Sequence, residues 1–339
     1  MDHPIEILIT VPLSEQHLSQ IKNESPGISI RHSVVRKTGD IPDEVWKKTE
    51  VLYTSRVVPE PEQAPNLRWI QFNLAGIDHA IQAPITRKAG VIVTTLSGAA
   101  STQVAEHVLM MLLSLGHHLQ EMISSQRRAE WPKDRWERFL PIELRENTVG
   151  IVGYGSIGRQ VARLLADFGA QVLATKRDVL HPEDDGFTPE GFGDPRAEFV
   201  HRIYPPQALG SMIKVCDFVV VTVPLTPASK GMLNADTLGL MKPTAFLVDV
   251  SRGGIVDHNA LITALKDHRI AGAALDVFPE EPLPESSPLW KLPNVILTPH
   301  ISGNTSKYEA RAVVLFIENL QRYLAGQPLY NQVEPDLGY

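Results

Sequence analysis

The sequence predicts an α/β fold built from two parallel-sheet domains, and three observations carry that expectation. The chain has 339 residues, about two domains at roughly 150 residues each. Short apolar runs alternate with helical stretches twice, over residues 1–101 and again from Thr148, and such alternation implies parallel strands joined by crossover helices. A glycine-rich turn, Gly153-Tyr154-Gly155-Ser156-Ile157-Gly158, joins an apolar strand to an amphipathic helix at the start of the second series.

In chain order, Ile5–Val11, Ile28–Arg31, Val51–Tyr53, Leu67–Phe72 and Val91–Thr94 read as strands, and Ser14–Asn23 as a helix with Ser14 as N-cap. A long helix is expected over Thr102–Leu119. Val104, Ala105, Val108, Leu109, Met111, Leu112, Leu113 and Leu115 make it apolar nearly all round, which predicts burial between domains or subunits. Gln120–Asn147 is charged and carries Trp131, Trp136 and Phe139 among Arg127, Arg128, Arg135 and Arg138. That composition suits an arm that packs on something else; a surface loop with buried tryptophans is the alternative. Further strands are expected at Thr148–Gly153, Gln171–Thr175, Asp217–Val223, Thr244–Val250, Ile270–Asp276 and Val295–Thr298. Helices fall between them at Ser156–Phe168, Pro206–Lys214, Asn234–Met241 and Asn259–Asp267. His181–Tyr204 is an irregular excursion of the kind found near functional sites, and a last helix is expected over Asn304–Ala325.

Composition narrows the function classes. Hydrophobic residues make up 43% and charged residues 21%, the mix of a globular protein rather than a disordered one. A net charge of −7 argues against binding that rests on phosphate neutralisation, so no nucleic-acid partner is expected. The longest apolar run, Val108–Leu115, is about half of what crosses a bilayer. The first residues lack the basic and apolar regions of a signal peptide, so no membrane partner and a cytoplasmic location are expected. Cys216 is the one cysteine, which excludes an intrachain disulfide and a cysteine-built metal site. His117 and His118 are adjacent and diverge on a helix. Metal-ligating His-Glu-x-x-His, phosphate-loop lysine and Gly-x-Ser-x-Gly motifs are missing. No metal is expected.

The strand–turn–helix around residues 153–158 points to a dinucleotide. The first glycine allows the tight turn, the second lets a pyrophosphate approach the backbone, and the third lets helix and strand pack closely. The helix start adds N–H groups and the positive end of its dipole. The following strand ends at the position where a carboxylate would take the adenine ribose 2′-OH. Lys176 and Arg177 stand there instead, and Asp178 comes next. Two cations suit a 2′-phosphate, so NADP(H) is favoured; NAD(H) stays open, with Asp178 turned toward the ribose.

Three later strand ends each deliver a polar residue. Arg252 follows one and is itself followed by Gly253 and Gly254. Asp276 ends the next and leads to Glu280-Glu281-Pro282, and Thr298-Pro299-His300 closes the third. Ligands of open α/β sheets bind at these carboxyl ends. With Gly-Tyr-Gly-Ser-Ile-Gly at 153–158, Val-Pro-Leu-Thr at 223–226, Ser-Arg-Gly-Gly at 251–254, Asp-Val-Phe-Pro-Glu-Glu-Pro at 276–282 and Thr-Pro-His at 298–300, the chain resembles the D-2-hydroxyacid dehydrogenases over nearly its whole length. Phosphoglycerate, glyoxylate/hydroxypyruvate and D-lactate dehydrogenases make up that family.

The resemblance implies two Rossmann/flavodoxin-like domains: a split substrate domain, about 1–101 plus 301–339, and an inserted dinucleotide domain, about 102–300. It implies a catalytic set of Arg252, Glu281 and His300. Arg252 would grip the substrate carboxylate and C2 oxygen, His300 would exchange a proton with that oxygen, and Glu281 would orient the imidazole. Asp276 would hold the nicotinamide carboxamide. Cofactor contacts would come from Gly153, Tyr154, Gly155, Ser156, Ile157, Gly158, Lys176, Arg177, Val223, Pro224, Thr226, Val250, Ser251, Arg252, Asp276, His300 and Gly303. Leu74, Ala75 and Gly76, in a turn expected to start a helix, would bind the substrate with Arg252 and His300. Formate dehydrogenase relatives carry glutamine at the position of Glu281, which counts against formate. The expected reaction is reversible hydride transfer between NAD(P)H and C2 of a small 2-oxo acid such as glyoxylate or hydroxypyruvate. The alternatives are a 3-phosphoglycerate-type dehydrogenase and a non-catalytic dinucleotide sensor of the corepressor type. A homodimer is expected through helix 102–119 and the arm at 120–147.

Overall fold

The computed structural model describes residues 4–334, and the chain divides into two compact units. One holds the residues up to Ala100, Asp185–Phe187 and those from Thr305; the other holds Ser101–Asp184 and Thr188–Asn304. Both are parallel-sheet α/β units.

In the first unit, β1 (Ile5–Ile9), β2 (Ile28–His32), β3 (Val51–Thr54), β4 (Trp69–Phe72) and β5 (Ile92–Thr94) form one parallel sheet in the order β2-β1-β3-β4-β5. This is the flavodoxin-like order. β3 and β4 are buried throughout, as continuous apolar strands covered on both faces should be. β1 ends at Ile9, two residues short of the expectation, because Pro12 brings no N–H to extend the ladder. Ser14 caps the helix Glu15–Lys22 by accepting the His17 N–H. The helix Tyr308–Leu324 lies on this sheet: the ring of Phe316 stacks on Tyr53 at 4.6 Å and on Trp69 at 5.2 Å. It starts four residues later than expected, after turns at Asn304–Lys307. Phe187 belongs here too, donating its N–H to Asn331 Oδ1 at 3.1 Å and meeting Tyr330 edge-on.

The second unit orders seven parallel strands as β12-β11-β10-β9-β6-β7-β8. They are β6 (Thr148–Val152), β7 (Gln171–Thr175), β8 (Arg202–Tyr204), β9 (Phe218–Val221), β10 (Phe246–Asp249), β11 (Gly272–Leu275) and β12 (Val295–Leu297). Strand order reverses between β6 and β9, the topological switch of a doubly wound dinucleotide fold. β8 is an addition to the expected set: the excursion is irregular only as far as His201, then pairs Arg202–Tyr204 with Leu173–Thr175. Three residues beginning with an exposed arginine carry too little apolar pattern to read as a strand.

The long apolar helix is shorter than expected. It spans Ser101–Gly116, and a separate helix, Leu119–Arg127, follows His118, whose φ of 55° is left-handed. Gly116 marks the break, since a Cβ there would lie 2.5 Å from the carbonyl of Ile142. Ile142 in turn donates its N–H to Gly116 O. The arm thus folds back on the helix end, with Trp131 83% and Trp136 77% exposed in this chain. Among the described residues no helix is long and apolar enough to cross a membrane.

Candidate active site

The glycine turn has the shape that its sequence calls for. Gly153 sits at φ 105°, and a Cβ there would come within 2.6 Å of Val223. A Cβ on Gly158 would lie 2.3 Å from Gly153 O, whereas one on Gly155 would meet nothing within 4 Å. The first and third glycines therefore pack against protein, and the second faces open space where a pyrophosphate could approach. The helix Ser156–Asp167 starts from Gly155 with no side-chain cap, which suits N-terminal amides that receive a phosphate. Thr175 Oγ1 accepts the Gly153 N–H at 3.1 Å, and Thr222 Oγ1 donates to Gly153 O at 2.8 Å. Below the turn, Pro224 O accepts from Ser229 Oγ, which also accepts the Thr226 N–H. These residues fit a dinucleotide.

At the end of β7 the side chains of Lys176 and Asp178 are committed to the loop that follows. Lys176 Nζ donates to the carbonyls of His181 at 2.5 Å and Glu183 at 2.7 Å. Asp178 accepts the backbone N–H groups of Leu180 and His181 and pairs with His181 Nδ1 at 2.7 Å. That hydrogen bond raises the His181 pKa and lowers that of Asp178.

The strand ends β10, β11 and β12 bring the chemistry together. Arg252 follows β10 and donates Nη1 to Ser251 O at 2.9 Å. A Cβ on Gly253 would lie 2.0 Å from Phe278 O, so only glycine lets the Arg252 loop press against the backbone leading to Glu281. Glu281 accepts the Phe278 N–H on Oε1 at 3.0 Å, and its Oε2 lies 2.8 Å from His300 Nδ1. The imidazole side chain is 43% exposed. With Nδ1 on the carboxylate, Nε2 is the nitrogen placed for proton exchange.

Asp276 organises the histidine loop. Its Oδ1 accepts from Thr298 Oγ1 at 2.6 Å and Ile301 N–H at 2.9 Å, and its Oδ2 accepts the Ser302 N–H at 2.9 Å. Burial opposes its charge, yet the hydrogen bonds from Ser302, Thr298 and Ile301 hold its pKa below the ordinary value. Asp249, at the end of β10, contrasts with it. Oδ1 takes both the N–H and hydroxyl of Ser251, while the buried Oδ2 has no hydrogen-bond partner. Burial first, partly offset by the Ser251 bonds, pushes its pKa up to about 7.

Two further residues join this cluster. His107, on the helix Ser101–Gly116, places Nε2 3.3 Å from Thr298 Oγ1, and burial lowers its pKa. Its signal in the sequence is a polar Glu106-His107 pair inside an apolar helix. Gln103 Nε2 donates to Gly303 O at 3.0 Å. The expected substrate residues Leu74, Ala75 and Gly76 belong to the first unit. No helix starts there: residues 77–81 form turns, with Ile77 O accepting from Ala80 and Ile81. The loop is fixed through Asn73, whose Oδ1 accepts the Tyr53 hydroxyl at 2.6 Å and whose carbonyl accepts that of Tyr308 at 3.0 Å. No group of three or more His, Cys, Asp or Glu among the described residues could hold a metal ion.

Comparison with known proteins gives the chain its relatives. The family model for the D-isomer specific 2-hydroxyacid dehydrogenase, NAD binding domain, matches residues 109–302. Glyoxylate reductase of Pyrococcus furiosus is 35% identical over 272 residues, 78% of this chain and 75% of that protein. D-3-phosphoglycerate dehydrogenase of Methanocaldococcus jannaschii is 31% identical over 334 residues, 97% of this chain and 59% of that protein. The chain spans about half the length of the curated phosphoglycerate dehydrogenases it matches. The structure of a D-isomer specific 2-hydroxyacid dehydrogenase from Xanthobacter autotrophicus Py2, in complex with NADPH and MES, is similar with a TM-score of 0.79 at 29% identity, covering 99% of this chain and 100% of that one. From the ordered strand-end residues and these likenesses together, the chain belongs to the D-isomer specific 2-hydroxyacid dehydrogenase family.

Proposed function

We propose that the protein reduces a small 2-oxo acid of the glyoxylate or hydroxypyruvate kind to its 2-hydroxy acid, of D configuration where C2 becomes a stereocentre, with NADPH as the preferred cofactor. The observation that carries this reading is the His300–Glu281 pair at 2.8 Å, set beside the Arg252 loop. The nicotinamide, when bound, supplies a hydride to the substrate's C2 and accepts one in reverse. Arg252 holds the carboxylate and the C2 oxygen through its planar fork. Nε2 of the protonated His300 ring gives its proton to that oxygen, so the C2 carbonyl becomes a hydroxyl with no charge left on that oxygen. Glu281 keeps the ring oriented through its bond to Nδ1.

The cofactor preference is supported by the end of β7. Lys176 and Arg177 stand where a ribose-binding acid would be, and Asp178 is engaged by three donors of its own loop; the same loop holds Lys176 through the carbonyls of His181 and Glu183, so a 2′-phosphate would have to draw Lys176 away. A homodimer in the cytoplasm completes the proposal, supported by the exposed aromatics of the arm. Initial rates with a panel of 2-oxo acids, each with NADPH and NADH, test it. Turnover of glyoxylate or hydroxypyruvate with NADPH is expected. Dinucleotide binding without turnover of any 2-oxo acid would instead leave a sensor of the corepressor type.

A further inference from the structure

The excursion at 181–204 takes no part in the chemistry above, yet it is bonded to both flanks of the glycine turn. Asp194 is 1% exposed. Its carboxylate accepts the N–H groups of Glu198 at 2.7 Å and Phe199 at 2.9 Å, and Oδ2 also accepts the hydroxyl of Tyr154. Tyr154 lies between the first two glycines. Burial, then the bond to Asp194, drives its pKa far above that of an ordinary tyrosine, so the hydroxyl stays a donor. Arg159 follows the third glycine and is also 1% exposed. It donates Nη1 to Asp194 O at 2.5 Å and Nη2 to Pro182 O, places Nε 3.4 Å from Asp184 Oδ2, and covers the Tyr154 ring at 4.6 Å. Gln160 Oε1 accepts the Gly193 N–H at 2.6 Å.

We propose that Asp194 is a positioning residue for dinucleotide binding, and that the 181–204 segment exists to brace the glycine turn through Tyr154 and Arg159. Each of the three glycines loses more conformational freedom on ordering than any other residue would. Ordering it before the cofactor arrives removes that cost from binding. The brace acts from the protein side: Tyr154 and Arg159 point into the segment, and the face beside Gly155 stays open. This rests on the reading that the turn holds a dinucleotide, though not on which one, because the pyrophosphate is common to both.

Two variants test the brace. Asp194→Asn keeps the shape and removes the charge. Tyr154→Phe removes one hydroxyl and leaves the Glu198 and Phe199 caps in place, so it reports even if the first variant fails to fold. Both should raise Kd for NADPH and NADH alike by about tenfold, the scale of one charge-assisted hydrogen bond, as read by quenching of protein fluorescence. Turnover of Asp194→Asn at saturating cofactor should stay within about twofold of wild type. Arg196→Ala, on an exposed residue of the same segment that pairs with Glu198, should change neither quantity. Unchanged Kd values in folded Tyr154→Phe overturn the proposal, as does a fall in kcat with Kd unaltered. Wild type that favours NADH sinks the NADP(H) reading and leaves the brace standing; wild type that binds neither cofactor sinks the dinucleotide reading and the brace with it.

Discussion

Glu281 is shared between His300 and the backbone of its own loop: Oε2 lies 2.8 Å from the imidazole Nδ1, and Oε1 takes the Phe278 N–H. The carboxylate is thereby fixed before it orients the ring. His300→Ala should lower kcat by about two to four decades, the usual worth of a general acid/base, with cofactor Kd little changed. Glu281→Gln keeps the Phe278 bond but replaces the carboxylate that orients the ring, so kcat should fall with cofactor Kd little changed. Near-normal turnover in His300→Ala refutes the assignment.

Arg252 should show a different signature. A lysine there replaces a planar fork by a point charge, and the adjoining Gly253 backbone is packed against Phe278. Arg252→Lys should therefore lose kcat/KM for the 2-oxo acid by about ten- to a thousandfold, or about 1.4–4 kcal/mol. The measurement is the substrate dependence at saturating cofactor, and an unchanged kcat/KM would exclude this role.

The parts of this site that are legible in the sequence are those made by neighbours in the chain. Gly153, Gly155 and Gly158 act within one turn, and Arg252, Asp276 and His300 each follow directly on an apolar strand. What the sequence hides depends on residues far apart. Asp178 looks available beside Lys176 until the loop returns its N–H groups. Asp194 and Arg159, like His107 and Thr298, meet only in the folded chain, and nothing local distinguishes such polar residues from solvated ones. The break at Gly116 is hidden for the same reason, because the carbonyl that demands a glycine comes from Ile142.

Cofactor choice follows from the end of β7. With Asp178 held by Leu180 and His181, the ribose should lack a carboxylate partner; Lys176 is held by the carbonyls of His181 and Glu183, so a 2′-phosphate should draw it from that loop or rest on Arg177. Replacing Lys176 and Arg177 together by alanine should cost about 1–3 kcal/mol of preference for NADPH over NADH. Parallel kcat/KM measurements decide it, and a wild-type preference for NADH of about tenfold would overturn the expectation.

Association should depend on the arm. Trp131 and Trp136 are exposed in the single chain, with arginines about them suited to a polar rim around buried anchors. Alanine at Trp131, Trp136 and Phe139 together should shift a dimer toward monomer in sedimentation at micromolar concentration. Wild type sedimenting as a 37.5 kDa species alone would rule the dimer out.

The buried carboxyl of Asp249 should give the fold a pH dependence of its own. In the folded protein its pKa is about 7, against about 3.9 for an unperturbed aspartate. Between those values the folded chain keeps a proton that the unfolded chain has released, so folding takes up a proton. Stability from this residue is then full below the lower value and falls as pH rises through the higher one, by up to about 4 kcal/mol. Asp249→Asn retains acceptors for Ser251 and cannot ionise. Its amide still leaves a buried polar atom without a partner, so the diagnostic is the slope with pH and not stability at one pH. Urea unfolding at about pH 5 and about pH 8 should show wild type losing more stability than the variant between the two. An equal loss in both proteins would mean that Asp249 is already charged inside the fold, held by a donor other than Ser251.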